Sequence, residues 1–282
     1  MIEAVDHLVL ACPDIEAATT AYATLLGRDP DRRLADTADG TATTLFQLEN
    51  TGLELVAPAG DGPVGRRLSD HLAEAGPGLA SIAYRVQDLD DAHRTLSRRA
   101  LAPSDLVDRA AQTETGDTIS WRRFRLDDNA MAGVRSFVVR PTTPARVRPA
   151  PNGGAVQSLD HLVITTPDPM RAVATYGGRL GLRLALDRTA PEWNTRFLFF
   201  RLGGLTLEIV TRLDPSADPA GPDRLWGLTW CVDDLEAAHA RLSAGGLDVS
   251  QVRQGRKPGS RVFTLRDGTF GVPTLFISHT QA

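Results

Sequence analysis

Hydrophobic and polar positions along the chain fall into short alternating runs, each followed by a single amphipathic helix and then by further alternating runs. Residues 3–11 alternate as a half-buried strand should, with Val5, His7 and Val9 expected on one face. Pro13-Asp14 ends the run, and Asp14 is placed to cap a helix over 15–26, where Ala18, Tyr22, Leu25 and Leu26 recur at helical spacing until Gly27 stops it. Polar turns at 36–40 and at Asn50-Thr51-Gly52 frame strands at 42–48 and 53–57, with 33–35 a further short strand. A second unit follows a Gly/Pro stretch and a short helix at 66–75. It has a strand at 81–86, an Asp88 cap, a helix at 89–99 carrying Ala92, His93 and Leu96, and strands at 118–126 and 134–140, with a weaker one near 104–107. Each unit therefore reads as strand, helix, then strands.

The plan then restarts. Asp6-His7-Leu8-Val9-Leu10 with Pro13-Asp14 returns 154 residues later as Asp160-His161-Leu162-Val163-Ile164 with Pro167-Asp168. Tyr22 and Tyr176, and Gly27 and Gly181, keep the same offset. In each copy a Leu-Glu pair places its glutamate 47 residues after the histidine, at Glu54 and Glu208. In the second units the offset is 146, matching Val86 with Val232, Asp88 with Asp234, His93 with His239 and Leu96 with Leu242. Eight residues thus separate the two halves between their units, and so many coincidences mark an internal duplication. Pro141, Pro144, Pro149, Pro151 and Gly153-Gly154 mark a linker at 142–156 between domains at 1–141 and 157–282.

Composition narrows the function. The 282 residues suit two cores, 42% are hydrophobic, and acidic and basic residues are interspersed to a net charge of −4, so neither nucleic acid nor a membrane surface is favoured as partner. No apolar run reaches the roughly 18 residues of a membrane helix, and the first residues open as a strand, not as a signal peptide. Cys12 and Cys231 form no framework or Cys-x-x-Cys pair, so a reducing cytoplasm is expected. The chain lacks a phosphate-binding glycine loop, which argues against a nucleotide cofactor, and it lacks a nucleophile elbow.

The Asp-His-Leu-Val strand, the Pro-Asp cap, the Leu-Gly helix end and the Leu-Glu strand resemble the vicinal oxygen chelate superfamily, in its glyoxalase-like branch. That group includes glyoxalase I, extradiol dioxygenases, methylmalonyl-CoA epimerase and the bleomycin-binding proteins. The resemblance implies an α+β fold in which four βαβββ units pair into two curved mixed sheets, each around a cleft. It also implies a divalent metal (Zn, Ni, Mn or Fe), with His7 and Glu54 as the ligands of unit one and His161 and Glu208 as those of unit three. At the matching places in the partner units stand Ser81 and Phe137, and Gly227 and Leu275 or Phe276, so each cleft is expected to keep two protein ligands.

Three functions are compatible with these residues. One is a metal-dependent lyase or isomerase on a small oxygen-bearing metabolite, with a His/Glu half-site. The second is a metal-free enzyme in which Glu54 or Glu208, in a partly apolar cleft, acts as general base. The third is a binder that sequesters a small molecule, as bleomycin-resistance proteins do. Trp121, Phe137, Trp226, Trp230 and Phe276 are expected to line the pocket. A dioxygenase is disfavoured because two histidines and one glutamate cannot be assembled from matching positions. His7 and His161 could equally be strand histidines tied to a neighbouring carboxylate. His93 and His239 are expected to be structural, and His279 could reach a cleft mouth. The partner is a small molecule, with a homodimer left open.

Overall fold

The structure, a computed structural model, describes residues 1–142, 147–214 and 216–279. The part of the expected linker at 143–146, including Pro144, lies outside the described residues.

The first strand, β1 (Ala4–Ala11), is followed by α1 (Ile15–Leu26), β2 (Arg32–Asp36), β3 (Thr41–Gln47) and β4 (Gly52–Pro58). After α2 (Pro63–Ala75), the second unit runs β5 (Gly78–Arg85), α3 (Leu89–Arg98), β6 (Val107–Gln112), β7 (Thr118–Arg125) and β8 (Ser136–Pro141). The third unit has β9 (Ser158–Thr165), α4 (Pro169–Ala172), β10 (Arg183–Ala190), β11 (Thr195–Leu202) and β12 (Leu205–Arg212). The fourth has β13 (Arg224–Cys231), α5 (Leu235–Ala244), β14 (Arg253–Gln254), β15 (Ser260–Leu265) and β16 (Thr274–His279).

These strands make two eight-stranded mixed sheets of identical plan, ordered β2-β3-β4-β1-β5-β8-β7-β6 and β10-β11-β12-β9-β13-β16-β15-β14. Units one and two therefore share one sheet and units three and four the other. In each sheet the unit's first and last strands pair in parallel (β1 with β4, β9 with β12), and the two first strands meet antiparallel at the centre (β1 with β5, β9 with β13). The weak strand expected at 104–107 instead begins at Val107 and runs to Gln112 as the edge strand β6. The eight-residue difference between the halves is also localised: α2 occupies the β4–β5 connection, whereas β12 and β13 are joined without a helix among the described residues.

Local chemistry explains the helices. Asp14 accepts hydrogen bonds from the Glu16 and Ala17 amides at the start of α1, and Gly27, at φ 68°, closes it in the left-handed conformation. In the third unit Gly177-Gly178 replace Ala23-Thr24, and the corresponding stretch, Val173–Arg179, winds as a π-helix.

One continuous buried core runs through both halves, including Tyr22, Phe46 and Tyr84 from the first and Tyr176, Phe200 and Trp230 from the second. Polar side chains stitch the halves together across it. The Tyr22 hydroxyl donates to the Thr269 carbonyl at 3.0 Å. The Asn50 amide group both donates to the Leu159 carbonyl (2.8 Å) and accepts from its amide (3.0 Å), standing in for a peptide on β9. Arg241 of α5 donates to the Leu25 and Gly154 carbonyls at 3.1 Å and to the Thr24 carbonyl, supplying partners to the last turn of α1. It lies so close over Gly27 that a Cβ there would fall 2.8 Å from its guanidinium carbon. Replacing Arg241 by Ala is expected to lower stability by about 2 kcal/mol, from the loss of charge-assisted hydrogen bonds to helix-end carbonyls, read as a lower urea midpoint.

Candidate functional site

The first strand carries a bulge that builds the site. In β1 the pairing to β5 runs Val5 to Tyr84 and then His7 to Ala83, leaving Asp6 as the extra residue. A regular strand would send Asp6 and His7 to opposite faces and keep Val5 with His7. The bulge instead turns Val5 into the core, where it is fully buried, which corrects the expectation that it shares the histidine's face. It also brings Asp6 alongside His7, so that His7 Nδ1 lies 2.8 Å from Asp6 Oδ1. The same bulge recurs in β9 at Asp160, between Leu159 and His161, and His161 Nδ1 lies 2.6 Å from Asp160 Oδ1. With the aspartate accepting at Nδ1, Nε2 of each ring is left to face its cleft.

The parallel neighbour completes the pair. His7 registers with Gly52 on β4, and alternation points Glu54, two residues on, to the same face. His7 Nε2 lies 3.9 Å from Glu54 Oε2, and His161 Nε2 lies 3.4 Å from Glu208 Oε2. The sequence-predicted histidines and glutamates are thus brought together in both halves.

The two pairs differ in freedom. Opposite His7 stands Ala83, and opposite His161 stands Thr229. The Thr229 hydroxyl lies 2.8 Å from His161 Nε2 and occupies it. Asp160 is likewise saturated, bonded by His161, by Lys257 Nζ at 2.8 Å and by His279 Nε2 at 2.7 Å. In the first half Asp6 serves His7, and the Nε2 atom has no hydrogen-bond partner among the described residues. Side-chain exposure follows the same order: 23% and 30% for His7 and Glu54, against 14% and 16% for His161 and Glu208. The first cleft holds the open pair.

Burial disfavours charge on His7, but the Asp6 hydrogen bond and the Glu54 and Asp6 charges outweigh it, and its pKa is held above the ordinary histidine value despite a nearby Arg123. Burial deprotects neither cysteine: it pushes the Cys12 thiol up to about 12 and raises Cys231 as well, so neither is a ready nucleophile.

The other expected residues separate. Phe137 registers with Ala83 in the row that contains His7, and the Arg123 guanidinium lies over its ring at 4.7 Å. Trp121 sits partly buried on β7, opposite Arg109 and two residues from Arg123. Trp230 and Phe276 are fully buried, Phe276 stacked on Phe263 at 4.8 Å, so neither offers a stacking face to a ligand. They lie on the core side because Thr229 and Leu275, their neighbours in register, take the cleft side. Trp226 is half exposed at a bulge between Leu225 and Gly227. His93 and His239 are both structural: each Nε2 meets a loop carbonyl, of Ser104 (3.0 Å) and Ser250 (3.1 Å), and each ring packs edge-on against a core phenylalanine.

Arg123, Thr229, Phe197, Phe199 and Arg256 carry no motif that singles them out in the sequence, and the last three belong to the second cleft. There Phe197 and Phe199 stack at 6.1 Å, Trp193 meets Phe197 edge-on, and Arg256 lies over Trp193 at 4.0 Å. Thr229 was within reach of the 146-residue offset, which aligns it with Ala83.

The register also tests the donor set for a metal. By the geometry that relates Glu54 to His7, Ser81 and Phe137 are the positions that would complete the first shell, and Gly227 and Leu275 the second. Phenylalanine, leucine and glycine offer no donor and Ser81 only a neutral hydroxyl, and among the described residues no group of three His, Cys, Asp or Glu side chains is placed to hold a metal ion. Two donors per cleft do not fit the three or four that hold a divalent ion firmly.

Comparisons with known proteins agree with this architecture. A family model described as "Glyoxalase-like domain" matches residues 5–156, and one described as "Glyoxalase/Bleomycin resistance protein/Dioxygenase superfamily" matches 160–264. Both halves are vicinal oxygen chelate modules, each a pair of βαβββ units. The chain belongs to the glyoxalase-like domain family. Over 90 residues, 32% of this chain, it is 32% identical to an ethylmalonyl-CoA/methylmalonyl-CoA epimerase from Cereibacter sphaeroides, and the match spans 65% of that protein's length. A triple mutant of 4-hydroxymandelate synthase from Streptomyces coelicolor superposes with a TM-score of 0.69 at 16% identity, covering 100% of this chain and 94% of that one. A hypothetical protein from Staphylococcus aureus superposes at 0.65 and 8% identity, over 98% and 100% of the two chains. These structural likenesses show the fold alone. Among the described residues no helix is long and apolar enough to cross a membrane.

Glu54→Gln removes a charge that holds the His7 proton, so the His7 pKa is expected to fall, as read by titration of its imidazole resonance. In the wild type, the stability supplied by protonated His7 is fully present below the unfolded-state pKa and lost as pH rises through the higher folded value; the variant should lose it at lower pH.

Proposed function

We propose that the first-half cleft is a metal-independent proton-transfer site acting on a small oxygen-bearing metabolite, in the manner of an isomerase or lyase. The observation that carries this reading is the open His7–Glu54 pair: an imidazole nitrogen and a carboxylate oxygen 3.9 Å apart, without other hydrogen bonds among the described residues, on one face of the sheet. Glu54 is the base. Its carboxylate takes a proton from a substrate carbon or hydroxyl that enters beside it. His7, with Nδ1–H held by Asp6 and its protonated state favoured by the surrounding carboxylates, presents Nε2–H to the substrate oxygen on which charge develops. Asp6 fixes the ring orientation and stabilises the imidazolium, a positioning role.

The local match to an epimerase supports proton transfer as the reaction class, since epimerisation exchanges a proton at one carbon. The donor count supports a route without a metal. The second pair, with His161 Nε2 occupied by Thr229, is read as the structural copy of the first.

The test is solvent exchange. Incubated in deuterated buffer with a panel of small hydroxy, oxo and carboxyl metabolites, the protein should catalyse deuterium uptake at one substrate carbon, followed by mass spectrometry. Glu54→Gln should slow uptake by about a hundredfold or more, while Glu208→Gln leaves it near wild type. Equal uptake by wild type and Glu54→Gln would refute the assignment of the base.

A further inference from the structure

The cleft that holds His7 and Glu54 also holds a cation that no described residue neutralises by contact. Arg123 points from β7 over the Phe137 ring, and among the described residues its guanidinium makes no hydrogen bond or ion pair. It is partly buried. Loss of water weakens its charged state, and the neighbouring Arg109 adds to the effect; Glu54 and Asp39 act in the other direction but remain beyond ion-pair distance. Arg109 meets Asp39 at 3.6 Å where the edges of the first sheet approach, next to the bridge between Leu34 and Thr113, while its Nε is buried without a hydrogen-bond partner among the described residues. A half-buried guanidinium whose donors no described residue uses is available to an oxyanion.

The register gives this position its meaning. Phe137 stands where a carboxylate would complete a shell with His7 and Glu54. Replacing that carboxylate by a phenyl ring, and laying a guanidinium on the ring, removes one negative charge from the cleft and adds one positive charge. Beside the carboxylates of Glu54, Asp6 and Asp39, Arg123 and Arg109 give an oxyanion a cationic point to bind. The second cleft provides the contrast. Arg123 registers with Val139 on β8, and the corresponding place on β15, opposite Ile277, is the buried Val262. At this register position the cation belongs to the first cleft, where the open pair also lies; Arg256 of the second cleft comes instead from the loop between β14 and β15, over Trp193 and Phe197.

We infer that Arg123 is the substrate-anchoring residue of the first cleft and that the substrate is a small organic carboxylate. The guanidinium binds the carboxylate from the face opposite Phe137. The rest of the molecule lies along Val9, Val56 and Leu45, which alternate with the core positions on β1, β4 and β3 and surround Glu54. Anchored so, the substrate presents the carbon next to its carboxylate to Glu54, and charge neutralisation by Arg123 acidifies that carbon's proton. This inference rests on the proton-transfer reading only for what happens after binding.

The experiment follows the His7 imidazole resonance of the full chain, assigned by its loss in His7→Gln, during addition of acetate, benzoate, inorganic phosphate, benzamide and benzylamine. Acetate and benzoate are expected to shift it saturably, benzoate more tightly, and benzamide and benzylamine to leave it unmoved. Arg123→Gln should weaken benzoate binding by about tenfold or more, Arg123→Lys should restore part of it, and Glu54→Gln should retain it. The resonances of His93 and His239, each packed edge-on against a buried phenylalanine, report whether each variant is folded. Failure of both carboxylates to shift the wild-type resonance overturns the inference. So does undiminished benzoate binding by folded Arg123→Gln, a preference for benzylamine, or a response to phosphate alone. Loss of deuterium uptake with benzoate binding intact in Glu54→Gln upholds both readings. Uptake that survives in Glu54→Gln refutes the base and leaves the anion anchor standing.

Discussion

The hydrogen bond between an aspartate and the histidine that follows it in the same strand organises each half of this protein. Neighbouring residues in a strand face opposite ways, so the contact exists only because β1 and β9 each carry one extra residue against their antiparallel partners. That bulge lets one strand serve the core through Val5 and Leu8 and serve the cleft through His7. The parallel neighbour then brings a glutamate to the same face. The arrangement is dictated by strand register, which is held by the core on the other side of the sheet, so the site is as rigid as the fold.

From this shared start the two halves have taken different chemistry. One side chain, Thr229 in place of Ala83, supplies a hydroxyl that occupies His161, and Lys257 and His279 gather on Asp160. Desolvation raises the energy of the Asp160 carboxylate, yet its bonds to His161 and Lys257 prevail and hold its pKa well below the ordinary value, as expected of a structural ion cluster. The first half keeps its pair free and adds Arg123. Duplication permits this, because each copy keeps its place in the shared core while its cleft residues diverge.

Much of this was legible in the chain. The offset of 154 residues between His7 and His161, the Asp14 cap and the Gly27 stop identify the βαβββ plan, and α1 begins and ends where its pattern says. Both His–Glu pairs form, and Ser81 and Phe137 stand in the register at the places that the family resemblance implies for them. Three features could not be read so. A bulge shifts every face after it by one residue, and alternation alone cannot reveal it, which is why Val5 was expected beside His7. Trp230 and Phe276 look like pocket aromatics in sequence, but which face of a strand meets the core is settled by pairing. Arg123 lies far along the chain from His7, and its place in the cleft depends on the order of four strands in the sheet.

On the proposed reading the His7–Glu54 pair moves protons and does not hold a working metal centre. Calorimetric titration of zinc and manganese ions into the full chain tests it most directly. No stoichiometric binding tighter than about micromolar that depends on His7 is expected, since two donors supply too little of a coordination shell. One-to-one binding well below that concentration, abolished in both His7→Ala and Glu54→Gln, would contradict it.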